Sequence, residues 1–162
     1  MIFFRLTQAL LKDMKITPIE IVGEPTLYSW HVNIYKLNNR KHIVFINDLS
    51  RLCIIIDGIR TGQLNQMKEK FLITLGEYLR SERIENKLIN SYLHDGTEIK
   101  IAKTNSRSVL GTMKEATFFT EDDFQDNISR LKWINRLIHK PIDYNRPIDV
   151  FKQALKKQYN DI

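Results

Sequence analysis

Between Tyr28 and Leu37 apolar and polar residues alternate, with Tyr28, Trp30, Val32 and Ile34 on one side and Ser29, His31, Asn33 and Tyr35 on the other. A period of two predicts a strand with one core face and one partly polar face. Asn38-Asn39-Arg40 supplies turn chemistry, and Lys41 to Asn47 returns with Ile43 and Phe45 opposite His42 and Val44, so the two runs predict a hairpin. Ile2 to Arg5 reads as a short strand. Thr7 then caps a helix carrying Ala9, Leu10, Leu11 and Met14 before Pro18, and Ile21 to Pro25 is a connecting loop.

Arg51 to Asp57 is almost continuously apolar and too short for a typical helix, which predicts a central strand buried on both faces. Leu64, Met67, Phe71, Leu75, Tyr78 and Leu79 recur at helical spacing within Gln63 to Ile84, and a shorter helix holds Leu88, Ile89 and Tyr92. Asp95-Gly96 turns into a last strand, Thr97 to Lys103. Helical spacing then covers Val109 to Phe119, the set Phe124, Ile128, Leu131, Ile134 and Ile138, and Val150 to Leu155 after Pro147. Thr120 with Asp123 forms an approximate capping box for the second of these. The expected class is α+β: an antiparallel-rich sheet of about four to five strands packed against several, mainly C-terminal, helices. No repeat or linker interrupts the chain, so residues 1–162 are expected to form a single compact domain.

A formal charge of +6 and an isoelectric point near 9.4 favour anionic partners, namely nucleic acid, phosphorylated ligands or acidic proteins. The single cysteine, Cys53, sits in an apolar strand run, which excludes a disulfide framework or a cysteine metal site. His31, His42, His94 and His139 are dispersed without an i,i+4 pair, so no metal is expected. No nucleophile elbow, P-loop or dinucleotide fingerprint occurs, and no cofactor is expected. The start lacks the features of a signal peptide, and no apolar run reaches the roughly 18 residues of a membrane span; the expected location is cytoplasmic, with no membrane partner.

The richest chemistry lies in Lys103-Thr104-Asn105-Ser106-Arg107-Ser108, a basic, hydroxyl- and amide-rich run leading into an apolar helical pattern. Unpaired N–H groups in the first turn of a helix attract negative charge, and Lys103 and Arg107 add formal charge beside them. Helix capping alone accounts for one or two such residues and is worth about 1 kcal/mol. An anion contact accounts for the rest, with Lys103, Thr104, Asn105, Arg107 and Ser108 as the candidate binding residues and Arg136 and Lys140 as flanking contacts. Gly111, costly in a helix interior, suits close packing or ligand approach. Secondary candidates are Trp30 as a stacking platform, His31 and Asn33 on the polar strand face, and Arg40, Lys41 and Arg60 as extensions of the positive field.

Several of these segments carry a resemblance. Met1 to Lys12, Trp30-His31-Val32-Asn33, Arg40 to Asn47, the Lys-Thr-Asn-x-Arg-Ser-Val-Leu-Gly-x-Met element from Lys103 to Met113, and Asn135-Arg136-Leu137 with Pro141 and Pro147 resemble an uncharacterised bacterial domain-of-unknown-function family, the DUF6933-like family. The resemblance covers nearly the whole chain; it implies a single domain and no established activity. Asn39 and His42 depart from the pattern, standing where a second basic residue and a small residue or cysteine are usual. The stretch Ile134 to Phe151 also resembles the tail of some insertion-sequence transposases, but the three acidic ligands of such a catalytic core are not in context. The expected function is that of a non-enzymatic anion- or nucleic-acid-associated binding or regulatory protein. The alternatives are an enzyme acting on a phosphate-bearing substrate, with Arg107 stabilising charge and His31 or His94 as base, and a protein-interaction module linked to mobile elements.

Overall fold

The computed structural model describes residues 1–21, 23, 25–37, 39–118, 124 and 126–160. Its sheet holds Ile2–Leu6 (β1), Ser29–Leu37 (β2), Arg40–Asn47 (β3), Cys53–Asp57 (β4) and Ile99–Lys103 (β5), in the order β4-β3-β2-β1-β5. The predicted hairpin forms, with Trp30 opposite Asn47 and Leu37 opposite Arg40, and Asn39 at a φ of 63° within the turn. Asn38 lies outside the described residues.

The sheet is mixed, not antiparallel-rich. β1 pairs parallel with both β2 and β5, whereas β2–β3 and β3–β4 are antiparallel. Parallel pairing follows from connectivity: a return to the same sheet end needs a long crossover, and the chain supplies one after β1 and another between β4 and β5. Nor are the helices mainly C-terminal. Gln8–Met14 (α1), Leu64–Ser81 (α2) and Asn86–Asp95 (α3) precede β5, and Arg107–Phe118 (α4), Asn127–Ile134 (α5) and Pro147–Tyr159 (α6) follow it.

Local chemistry sets the helix ends. Thr7 accepts the Leu10 N–H and starts α1, while Asp126 accepts from Ser129 and starts α5. The expected capping pair, Thr120 and Asp123, lies outside the described residues. Helix α5 also ends sooner than the apolar spacing predicts, at Ile134, and Ile138 is exposed.

One sheet face packs on α2, α3 and α6. Phe4 meets the edge of Phe71 at 4.9 Å, Trp30 meets Phe71 at 5.0 Å, and Phe151 packs against Trp30 and Tyr92. The indole N–H of Trp30 donates to the Tyr92 hydroxyl at 3.0 Å, and that hydroxyl donates to the Leu27 carbonyl at 2.8 Å, so the buried polar atoms of both rings are satisfied. The other face, which carries Arg5, His31, Asn33, Tyr35 and Val44, lies beneath α4: the Tyr35 hydroxyl donates to the Thr117 carbonyl at 2.9 Å. Among the described residues no helix is long and apolar enough to cross a membrane.

Candidate functional site

At the end of β5 the chain turns back over the sheet and enters α4. Ser106 is the cap: its hydroxyl accepts the Val109 N–H at 3.2 Å and its carbonyl accepts the Leu110 N–H at 3.2 Å. Capping therefore uses one of the hydroxyl residues in the run and leaves Arg107 and Ser108 in the first turn. Lys103, Asn105, Arg107 and Ser108 are exposed, and Thr104 is half-buried.

The loop is pinned to the sheet by a buried polar chain. Asn105 donates its backbone N–H to His31 Nε2 at 3.1 Å, and His31 Nδ1 lies 2.7 Å from Asp48 Oδ1. Since Nε2 accepts, the ring proton sits on Nδ1 and is given to Asp48. The Ser29 hydroxyl donates to the other carboxylate oxygen of Asp48 at 2.9 Å. His31 is fully buried, with both ring nitrogens engaged, and so offers no nitrogen to a substrate. His94 lies on α3, which packs on the opposite face of the sheet. The expected bases therefore do not converge with Arg107, and Trp30, at 0% exposure in the core, is no stacking platform.

Arg51 is the site residue that sequence reasoning missed. It follows the β3–β4 turn at a φ of 64°, a left-handed conformation held by Asn47, whose side-chain oxygen accepts from both the N–H and the hydroxyl of Ser50. From there its guanidinium donates to the Asp48 carbonyl at 2.8 Å and to the Ser108 hydroxyl at 2.9 Å. The residue is 8% exposed and its buried Nε has no partner among the described residues. Desolvation holds its pKa below the usual arginine value, against the opposing pull of Asp48. No local pattern marks it, because its role depends on α4 arriving from more than fifty residues away in sequence.

A second arginine, Arg5, is buried and donates to the carbonyls of Lys103 at 2.9 Å and Ile21 at 3.1 Å. With the bond from Ile19 N–H to the Ile101 carbonyl at 2.9 Å, it lays residues 17–21 along the outer side of β5. Between that segment and residues 103–105 lies a cleft of about 430 Å³, with Arg5 and Lys103 in its wall and Glu20 as its only carboxylate among the described residues.

The remaining candidates do not join this cluster. Arg136 is tied to Glu82 at 2.8 Å and donates to the Lys132 carbonyl. Lys140 is exposed and follows His139, whose Nδ1 lies 3.2 Å from Glu115, two turns and roughly 12 Å along α4 from Arg107. Arg40 and Lys41 stand at the hairpin turn beside Asp57 and Asp13, and Arg60 is exposed in the loop before α2. Asn33 lies beneath α4 and belongs to a different cavity. Gly111 faces open space, with nothing within 4 Å of the position a side-chain methyl would take, so close packing does not explain it.

This is a mixed-sheet α+β protein whose fourth helix begins over a cluster of the buried Arg51 and His31 and the half-buried Asp48. The chain belongs to DUF6933, a domain of unknown function, whose family model matches residues 3–150. Comparison with curated proteins and with solved structures returned no match.

Proposed function

We propose that the protein is a non-enzymatic binding protein that takes a phosphate-bearing ligand, nucleic acid foremost, at the start of α4. The observation that carries this reading is the Arg51–Ser108 bond. It sets a nearly buried cation against the positive end of a helix, while Asp48, the carboxylate beside it, already gives both oxygens to His31 and Ser29. Lys103 and Arg107 add two exposed cations to the same end. An anion there meets the N–H groups of the first turn and an excess of positive charge, the combination that suits phosphate oxygens. Asn105 contributes its side chain only, since its backbone N–H is held by His31.

The test is a salt titration of binding to labelled generic DNA and RNA. Neutralised phosphates give a steep negative slope of log affinity against log salt, and Arg107→Gln is expected to reduce that slope by about 1. Arg40→Gln, at the hairpin turn, is expected to leave it unchanged. Absence of binding at low salt, for both nucleic acids, overturns the reading.

A further inference from the structure

The outer face of α4 carries Arg107, Ser108, Gly111, Lys114, Glu115 and Phe118, whereas Val109, Thr112, Met113 and Ala116 are buried beneath it. Gly111 breaks the local rule on this face. Glycine costs a helix interior about 1 kcal/mol relative to alanine. Nothing in the fold requires it, since no atom lies within 4 Å of the point where a side chain would begin and its φ is not left-handed. A residue that breaks a local rule with no structural gain is expected where function sets the choice.

What remains is an approach from outside. Arg107 precedes Gly111 by four residues and Lys114 follows it by three, so both stand on the same face, about 10 Å apart along the helix axis at 1.5 Å per residue. Both are exposed, and neither has an ion pair or hydrogen bond among the described residues. Phe118, one turn beyond Lys114, is 76% exposed, more than any other large apolar side chain among the described residues. Ser108 and Glu115 lie across the face from the cations, Ser108 bonded to Arg51 and Glu115 placed 3.2 Å from His139 Nδ1.

We propose that a single strand of nucleic acid lies along this face, with phosphates on Arg107 and Lys114, sugar–phosphate backbone against Gly111 and a base stacked on Phe118. This rests on the reading of the α4 start as a phosphate site, and adds the course of the strand and its single-stranded form. Two unpaired cations two turns apart match a chain of phosphates better than one anion. The bare glycine between them lets that chain come close to the helix, where a side chain would hold it off. An exposed ring in line with the cations offers a surface to an unstacked base, which a duplex keeps inside its own stack. A duplex would use the two cations and leave Phe118 in water.

The experiment measures binding of labelled oligothymidylate, alone and annealed to oligoadenylate, across a salt series, with urea unfolding of each variant alongside. The single strand is expected to bind about fivefold or more tightly than the duplex. Phe118→Ala is expected to weaken single-strand binding about fivefold or more and to leave the salt slope unchanged. Lys114→Gln is expected to reduce that slope by about 0.7. Gly111→Gln places a side chain in open space, and is expected to weaken binding several-fold while unfolding at no lower urea concentration than the wild type. The assignment is overturned if the duplex binds as tightly as the single strand, or if Phe118→Ala and Gly111→Gln both bind like the wild type. In either case, weaker binding by Arg107→Gln would leave the phosphate site at the helix start standing. Absence of binding by both forms at low salt overturns the two together.

Discussion

Asn135 closes the free edge of β4 by bonding both backbone groups of Cys53. Its side-chain oxygen accepts the Cys53 N–H at 2.7 Å, and its NH₂ donates to the Cys53 carbonyl at 2.9 Å. Two residues along the strand, the Asn127 side chain donates to the Ile55 carbonyl at 2.9 Å. The two amides flank α5 and stand in for a neighbouring strand, so the outer strand is not left as a template for another chain.

Replacing Asn135 by Ala leaves a buried N–H and a buried carbonyl without partners. At about 1–3 kcal/mol for each of the two stranded groups, Asn135→Ala is expected to cost about 2–6 kcal/mol in urea denaturation. A loss below about 1 kcal/mol would show that water or α5 itself replaces the amide.

The thiol beside it should be inert. Burial pushes the Cys53 pKa up to about 12, with Arg130 pulling only weakly in the other direction. Native protein is expected to show no reaction with a disulfide reagent at mildly alkaline pH, and one equivalent per chain in denaturant. Rapid labelling of the native protein would contradict the packing around β4.

Two groups paired across β3 and β4 set the acid response. His42 stands opposite Asp57, and desolvation holds its pKa below 6.5, with the Arg40 carbonyl opposing. A depressed histidine is neutral when folded, so the unfolded chain binds more protons in the window between the two values. Stability from this residue is complete above 6.5 and falls as pH drops below it. Asp57 is pulled upward by desolvation, but the Lys70 bond and charge, with His42 and Arg40, outweigh this and hold it below 3.8. Its contribution is present above 3.8 and is lost as pH falls further. Urea midpoints from about pH 7 to about pH 5 should fall for the wild type and stay flatter for His42→Gln. Equal slopes for the two proteins would sink this assignment.

Gly111 sits exposed in the middle of α4 with no contact that a methyl group would disturb. Gly111→Ala is expected to raise stability by about 0.5–1 kcal/mol, read from thermal or urea unfolding. Destabilisation would mean that something approaches the helix backbone there.

Much of the site was only half legible in the chain. The Lys103–Ser108 run announces a helix start, and Ser106 caps it as such residues do. Alternation correctly divides Trp30 and Val32 from His31 and Asn33. It does not say that α4 covers the second set, and so His31 looks in sequence like an exposed polar residue and is a buried link in the structure. Arg51 and Asp48 occupy an ordinary turn composition; their meeting with Ser108 comes from helix docking, which leaves no local trace.

Residue order alone settles what neighbours along the chain control: the hairpin from Ser29 to Asn47, the helical stripes of α2, α3 and α6, the Thr7 cap, and the burial of Cys53. Those features depend on periods of two or 3.6 and on short-range hydrogen bonds, which residue order encodes directly. Long-range packing is what runs β1 parallel between β2 and β5, covers the β4 edge with Asn127 and Asn135, and brings Arg51 to the head of α4. Each of these joins groups far apart in sequence, where the gain arises only after the whole sheet has formed and helices have covered both faces.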